Sequence, residues 1–199
     1  DWGPGAAKDP FGEVRVYIDP RGVEIPVLSG NPVAFSAVSG AFNTPGDYVL
    51  TSAVRYLLAL GDVFSAEVLF VNTSGGTVES ELLLFGGHGY SLTLKHLSTG
   101  GYSLSAKGVS TVTITGGTTQ PCQRVGFSFV YGGDMYLYVD GAEAAHSHSA
   151  PALNGRPSVM DVNGDSNSSV AYARLFNGYA ATAADFADNW GHVGNEEMF

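Results

Sequence analysis

Hydrophobic and polar residues alternate along most of this chain in short runs. "EVRVYID" (13–19) places Val14, Val16 and Ile18 on one side and charged or polar residues between them. Period-two alternation of this kind predicts half-buried strands. "PRG" (20–22) turns the chain and "VEIPVL" (23–28) returns, which predicts an N-terminal hairpin. Pro26 confines its second strand to a sheet edge, because proline has no amide to donate. "SGNP" (29–32) is a break, and residues 1–31 are read as a linker and hairpin ahead of a main domain at 32–199.

From residue 32 onward the same signal repeats. Apolar-rich runs occur at 33–38, 47–52, 54–60, 64–71, 81–86, 90–97, 102–106, 110–115, 124–131, 135–140, 158–162 and 171–176. Glycine or Asx turns separate them, at 75–76, 98–101, 116–117, 132–134, 140–141 and 163–165. Turn signals about every 8–12 residues predict an all-β sandwich or barrel. "MYLYVDGAEAA" (135–145) predicts a hairpin, since Asp140-Gly141 supplies the positive φ values of a tight two-residue turn. Only one segment predicts a helix. Thr182 and Asp185 have capping-box spacing, ahead of Ala183 to Asn189, and Gly191 ends it.

Composition narrows the function. The 199 residues suit one large β domain, and 27 glycines fit a chain rich in turns. Hydrophobic residues at 44% and charged residues at 14% describe a globular chain, not a disordered one. A net charge of −10 with only nine Lys and Arg argues against nucleic acid and anionic membranes as partners. No run of 18 apolar residues is present, so membrane insertion is not expected. The single cysteine, Cys122, excludes an internal disulfide and is expected as a small buried residue. A start at Asp1 instead of Met suggests a fragment or processed piece.

Candidate chemistry is sparse. Glu79 and Glu81 alternate as glycan-hydrolase carboxylates do, but the third position is Leu83. No G-x-S-x-G, HExxH or P-loop is present. "DVNGDSN" (161–167) spaces Asp161, Asn163, Asp165 and Asn167 two apart around a turn, and such a loop can offer calcium several oxygens. Ser166 and Tyr172 stand where an EF-hand needs Gly and Glu, so calcium is possible only as a different type of site at Asp161, Asn163 and Asp165. "HSH" (146–148) puts two imidazoles at i, i+2, on a strand face or in a loop. Zinc takes three or four ligands, so loop histidines are the plainer reading. Sugar recognition uses aromatic planes with polar hydrogen-bonding groups on loops. On that basis His88, Tyr90, Tyr102, Asp134, Asp165 and Asn167 are the candidate ligand-binding residues.

Several runs, taken in order, resemble the laminin-G-like, concanavalin A-like jelly-roll superfamily. "GDYVLT" (46–51) and "FSAEVLFV" (64–71) are similar to its opening strands. "RVGFSFVYGGD" (124–134) and "GDMYLYVDGAEAA" (133–145) are similar to its later strand and Asp-Gly hairpin. "SVMDVNGD" (158–165) and "ARLFNGYAATAADFADNW" (173–190) are similar to its late strand, terminal strand and short helix. The resemblance spans about residues 32–191. It implies a two-sheet antiparallel β-sandwich with a short C-terminal helix, and a mainly structural Asp-Gly turn. Ala171, Tyr172 and Ala173 replace the acid that many members carry before the terminal strand's Arg, which argues against a family-type calcium site. Low Lys, many Gly and a recognition-type domain also resemble phage tail fibres and bacterial surface adhesins. That implies an extracellular, cell-surface or virion setting and a possible homotrimer. The expected function is therefore non-catalytic binding of a surface glycan or other receptor. A protein-only assembly module is the alternative, and a hydrolase using Glu79 and Glu81 a third.

Overall fold

A computed structural model of the protein describes residues 27–29, 35–37, 48–50, 54–57, 60–71, 78–87, 90–120, 122–152, 156–162 and 170–187. Fourteen strands and one helix are found among them. In chain order the strands are β1 (Val27–Ser29), β2 (Phe35–Ala37), β3 (Tyr48–Leu50), β4 (Val54–Leu57) and β5 (Val63–Val71). They continue with β6 (Ser80–Gly87), β7 (Tyr90–His96), β8 (Tyr102–Lys107), β9 (Thr111–Gly116) and β10 (Cys122–Val130). Last come β11 (Met135–Val139), β12 (Ala142–Ser147), β13 (Val159–Val162), β14 (Val170–Asn177) and the helix α1 (Ala183–Ala187).

They form two seven-stranded antiparallel sheets, ordered β1-β4-β13-β6-β7-β8-β9 and β12-β11-β10-β5-β14-β3-β2. The expected all-β two-sheet sandwich with a short late helix is observed. Of the expected N-terminal hairpin, only Val27 and Leu28 lie within the described residues; they belong to β1, which runs on through Ser29, expected as a break, and pairs with β4 at a sheet edge.

Alternation decides which residues meet between the sheets. Phe64, Ala66, Val68 and Phe70 of β5 face inward, as do Val125, Phe127 and Phe129 of β10 and Met135 and Leu137 of β11. Phe85, Leu92, Leu94, Tyr102 and Leu104 answer from the other sheet. Phe64 is the hub, with ring centroids 5.3 Å from Phe85, 5.9 Å from Phe127 and 5.6 Å from Phe129. In β6 a register shift at Leu82 lets Leu82 and Leu83 both reach the core.

The second sheet also carries a smaller apolar cluster on its outer face. Tyr138, Phe176, Ala181 and Phe186 form it, with Tyr136 and Ala183 packed alongside. Helix α1 closes over this face through Phe186, which is fully buried. The ring lies directly on Gly126, where an added Cβ would be 2.8 Å from Phe186 Cε1. The cap is built by Asp185, whose Oδ2 accepts from the Thr182 amide and hydroxyl, both at 2.7 Å, and from the Tyr179 hydroxyl at 2.8 Å.

Candidate functional site

The β11–β12 hairpin organises the outer face of the second sheet. Asp140 and Gly141 have φ of 50° and 76°, the positive pair that a two-residue turn between Val139 and Ala142 demands. Asp140 is fixed from both sides. Its carboxylate accepts from the Arg124 amide at 3.0 Å and from Gln123 Nε2 at 3.2 Å, while its own amide donates to the Arg124 carbonyl at 2.8 Å. Gln123 Oε1 in turn accepts from the Tyr102 hydroxyl at 2.6 Å. The turn is thereby tied into the core, in keeping with a structural role.

Beyond the turn, the pairing changes. Leu137 lies opposite Ala145, but Tyr138 lies opposite Glu143, so Ala144 is an extra residue in β12. In a regular strand, residues three apart point to opposite faces. The extra residue brings Glu143 and His146 to the same face. There the Nδ1 of His146 is 2.7 Å from Glu143 Oε1. His146 lies directly across from Tyr136, with ring centroids 5.7 Å apart. His148 joins from just past the strand, 6.3 Å from Tyr136 and 4.8 Å from His146 between centroids. Its Nδ1 is 2.8 Å from Asp134 Oδ1, on the turn that precedes β11. Tyr136 stacks on Tyr138 at 6.1 Å, and Tyr138 leads into the Phe186 cluster at 4.7 Å.

The result is a surface patch of one half-buried phenol ring, two imidazoles and two carboxylates. The imidazoles are 46% and 66% exposed and each carboxylate side chain 45%. An ionised carboxylate has no proton to give, so each imidazole donates through Nδ1–H. In a neutral ring of that tautomer, Nε2 is the nitrogen that accepts. At its lower end the patch is drier, and burial pushes the Tyr138 phenol above its ordinary pKa of 10.0, against a lowering hydrogen bond with Ser128. The Tyr179 phenol is also raised, first by its hydrogen bond to Asp185.

The structure treats the residues expected from the sequence unevenly. Asp134 belongs to the patch. Tyr102 lies in β8, wholly buried and bonded to Gln123, so its ring packs in the core and not on a loop. Tyr90 begins β7. Asp161 lies in β13 and is 7% exposed. His88, Asn163, Asp165 and Asn167 lie outside the described residues, as do Trp190 and Gly191. Glu79 is an exposed partner of Lys95 at 3.2 Å, while Leu83, in the place of a third acid, is buried in the core. His96 is buried in the core, with Nδ1 2.9 Å from the Val78 carbonyl and Nε2 3.0 Å from Thr119 Oγ1. A carbonyl can only accept, so Nδ1 carries the proton and Thr119 donates to Nε2; this histidine is structural. His146 is in a strand and not in a loop. Tyr136, Glu143 and His146 escaped detection as a group, because their adjacency depends on a bulge that leaves no composition signal. Among the described residues, no group of three or more His, Cys, Asp and Glu side chains is placed to hold a metal ion.

No family model matches the chain. No curated protein matches it either. Solved structures do. The binding domain of botulinum neurotoxin serotype D/C aligns with a TM-score of 0.66 and 11% identity, over 91% of this chain and 50% of the other. A botulinum neurotoxin type C structure, whose cell entry depends on interaction with two ganglioside molecules, aligns at 0.64 and 11%, over 90% and 50%. The ligand-binding domain of serotype D in complex with N-acetylneuraminic acid aligns at 0.59 and 12%, over 95% and 52%. The chain thus spans about half the length of these structures, and the likeness is one of fold.

Proposed function

We propose that this domain is a non-catalytic recognition module that binds a cell-surface glycan through the outer face of its second sheet. The observation that carries the reading is the half-exposed Tyr136 ring, flanked on one side by His146 and His148, which pair with Glu143 and Asp134. A sugar offers an apolar face of C–H groups and a ring of hydroxyls. A phenol ring supplies the complementary apolar plane, and imidazole nitrogens and carboxylates supply acceptors for the hydroxyls. The solved neighbours include a neurotoxin whose cell entry depends on two ganglioside molecules and a ligand-binding domain in complex with N-acetylneuraminic acid, which supports the same class of role. His88, Tyr90, Asp165 and Asn167 are proposed as further ligand contacts, with calcium as an optional ligand of Asp161, Asn163 and Asp165.

The finer setting is also part of the proposal. Low Lys, many Gly and a recognition-type domain, which resemble phage tail fibres and surface adhesins, support a surface or virion location, at the tip of a fibre or an adhesin. Residues 1–31 would then join the 32–199 sandwich to another segment, and the assembly would be a homotrimer. Light scattering on the protein tests the last point, and a clean monomer removes the trimer. A glycan array followed by calorimetry, with and without calcium, tests the binding. The expected result is a saturable ligand whose affinity falls at least tenfold in Tyr136→Ala. Silence across the array, or a ligand indifferent to Tyr136→Ala, overturns the assignment to this patch.

A further inference from the structure

We infer that His146 and His148 form an open two-nitrogen site for a borderline divalent transition-metal ion, of which Zn²⁺ is the representative. The inference does not depend on the ligand being a glycan. Three observations lead to it. Both imidazoles donate Nδ1–H to a carboxylate, His146 to Glu143 at 2.7 Å and His148 to Asp134 at 2.8 Å. This is the arrangement that metal-binding histidines use, because the carboxylate fixes the tautomer, orients the ring and makes Nε2 more basic. The two Nε2 lone pairs are therefore the ones turned away from the carboxylates.

The second observation is spacing. Metal–nitrogen bonds of about 2.0–2.1 Å place each imidazole centroid about 3.2 Å from the ion. Two such rings at bond angles between about 90° and 109° have centroids about 4.5–5.2 Å apart. His146 and His148 are 4.8 Å apart, tilted by 47°. That separation falls within the window for two rings that ligate one ion.

The third is rigidity. His146 is anchored in β12 opposite Tyr136, and the Tyr136 ring contacts both imidazoles. Much of the ordering that chelation requires is already in place. The carboxylates are engaged at Nδ1, so the described residues supply two nitrogen ligands and no third. Water completes the coordination, and the solvent-facing side leaves room for a ligand oxygen. Imidazole nitrogen selects zinc, copper or nickel over calcium and magnesium, which prefer oxygen.

Titration of the full chain with ZnCl₂ by calorimetry, with the histidine ring signals followed by NMR, tests the site. Expected is saturable one-to-one binding in the micromolar range that shifts the His146 and His148 signals, while CaCl₂ leaves them in place. His146→Gln and His148→Gln should each weaken binding at least tenfold. Asp134→Asn, which keeps both imidazoles, should weaken it about tenfold through lost orientation. Circular dichroism confirms that each variant is folded. The inference is overturned if zinc leaves both ring signals unmoved. It is equally overturned if the double Gln variant binds zinc as tightly as the parent chain, which would put the metal on other residues.

Discussion

Gly126→Ala isolates the docking of helix α1. Gly126 lies mid-strand in β10, opposite Tyr138 on one side and Glu67 on the other. Its outer side is covered by the Phe186 ring. A methyl group there would stand 2.8 Å from Cε1, 3.0 Å from Cδ1 and 3.1 Å from the Ala66 carbonyl oxygen. Ordinary carbon contacts are about 3.5–4.0 Å, so the ring must retreat by about 0.7 Å, which forfeits a quarter to a half of each contact's attraction. Phe186 also packs on Tyr138 at 4.7 Å and on Phe176 at 6.2 Å, so the loss spreads through the cluster. Overpacking of this kind costs about 1–3 kcal/mol, partly offset by the lower chain entropy of alanine. A net loss of about 2 kcal/mol lowers Tm by about 4–8 °C in a domain of this size. Urea unfolding followed by tyrosine fluorescence gives the free energy, and calorimetry gives Tm. Phe186→Ala alone should cost about 3 kcal/mol. The double variant should cost no more than Phe186→Ala, because the clashing ring is gone. Strictly additive losses, or a Gly126→Ala protein as stable as its parent, would refute the reasoning.

Other positions test other parts of the structure. Asp140→Ala removes the acceptor for the Arg124 amide and Gln123 and leaves alanine at positive φ. It should cost about 2–3 kcal/mol in chemical unfolding, and Asp140→Asn clearly less, since Asn tolerates that φ and keeps one oxygen. His96→Phe preserves the ring contacts with Phe70 and Tyr102 but strands the Val78 carbonyl and the Thr119 hydroxyl. A loss of about 2 kcal/mol is expected, and a neutral result would mean that these groups find water. Burial holds the Tyr138 phenol above its ordinary 10.0, so the folded state keeps its proton where the unfolded chain releases it. Tyr138's contribution is complete below pH about 10 and declines as pH rises through the higher folded value. Tyr138→Phe should flatten the alkaline slope of Tm against pH, and an unchanged slope would count against burial as the cause.

Much of the fold was written in local pattern. Val125, Phe127 and Phe129 alternate with Gly126 and Ser128, so the inward face of β10 follows from period two alone. Asp140-Gly141 and the Thr182–Asp185 spacing are signals read over two to four residues, and both the turn and the cap appear where they point. These features were legible because their causes act between neighbours in the chain. Aromatic residues beside turns misled for the same reason. Tyr102 follows two glycines, yet its ring is buried and its hydroxyl reaches Gln123, twenty-one residues away. Whether a ring at a strand start faces solvent or core is set by which strand pairs with which.

The patch itself was decided by tertiary structure. Tyr136 and His146 belong together only through the register of β11 on β12, and Glu143 joins His146 only because Ala144 is extra. Asp134 meets His148 across the length of the hairpin. The sequence alone determined that the chain would build strands, where most of them turn, and that it would carry little positive charge. Pairing register, one bulge and the closure of α1 over Gly126 decided which polar groups share a surface. Those choices rest on contacts between residues distant along the chain, and local pattern holds no record of them.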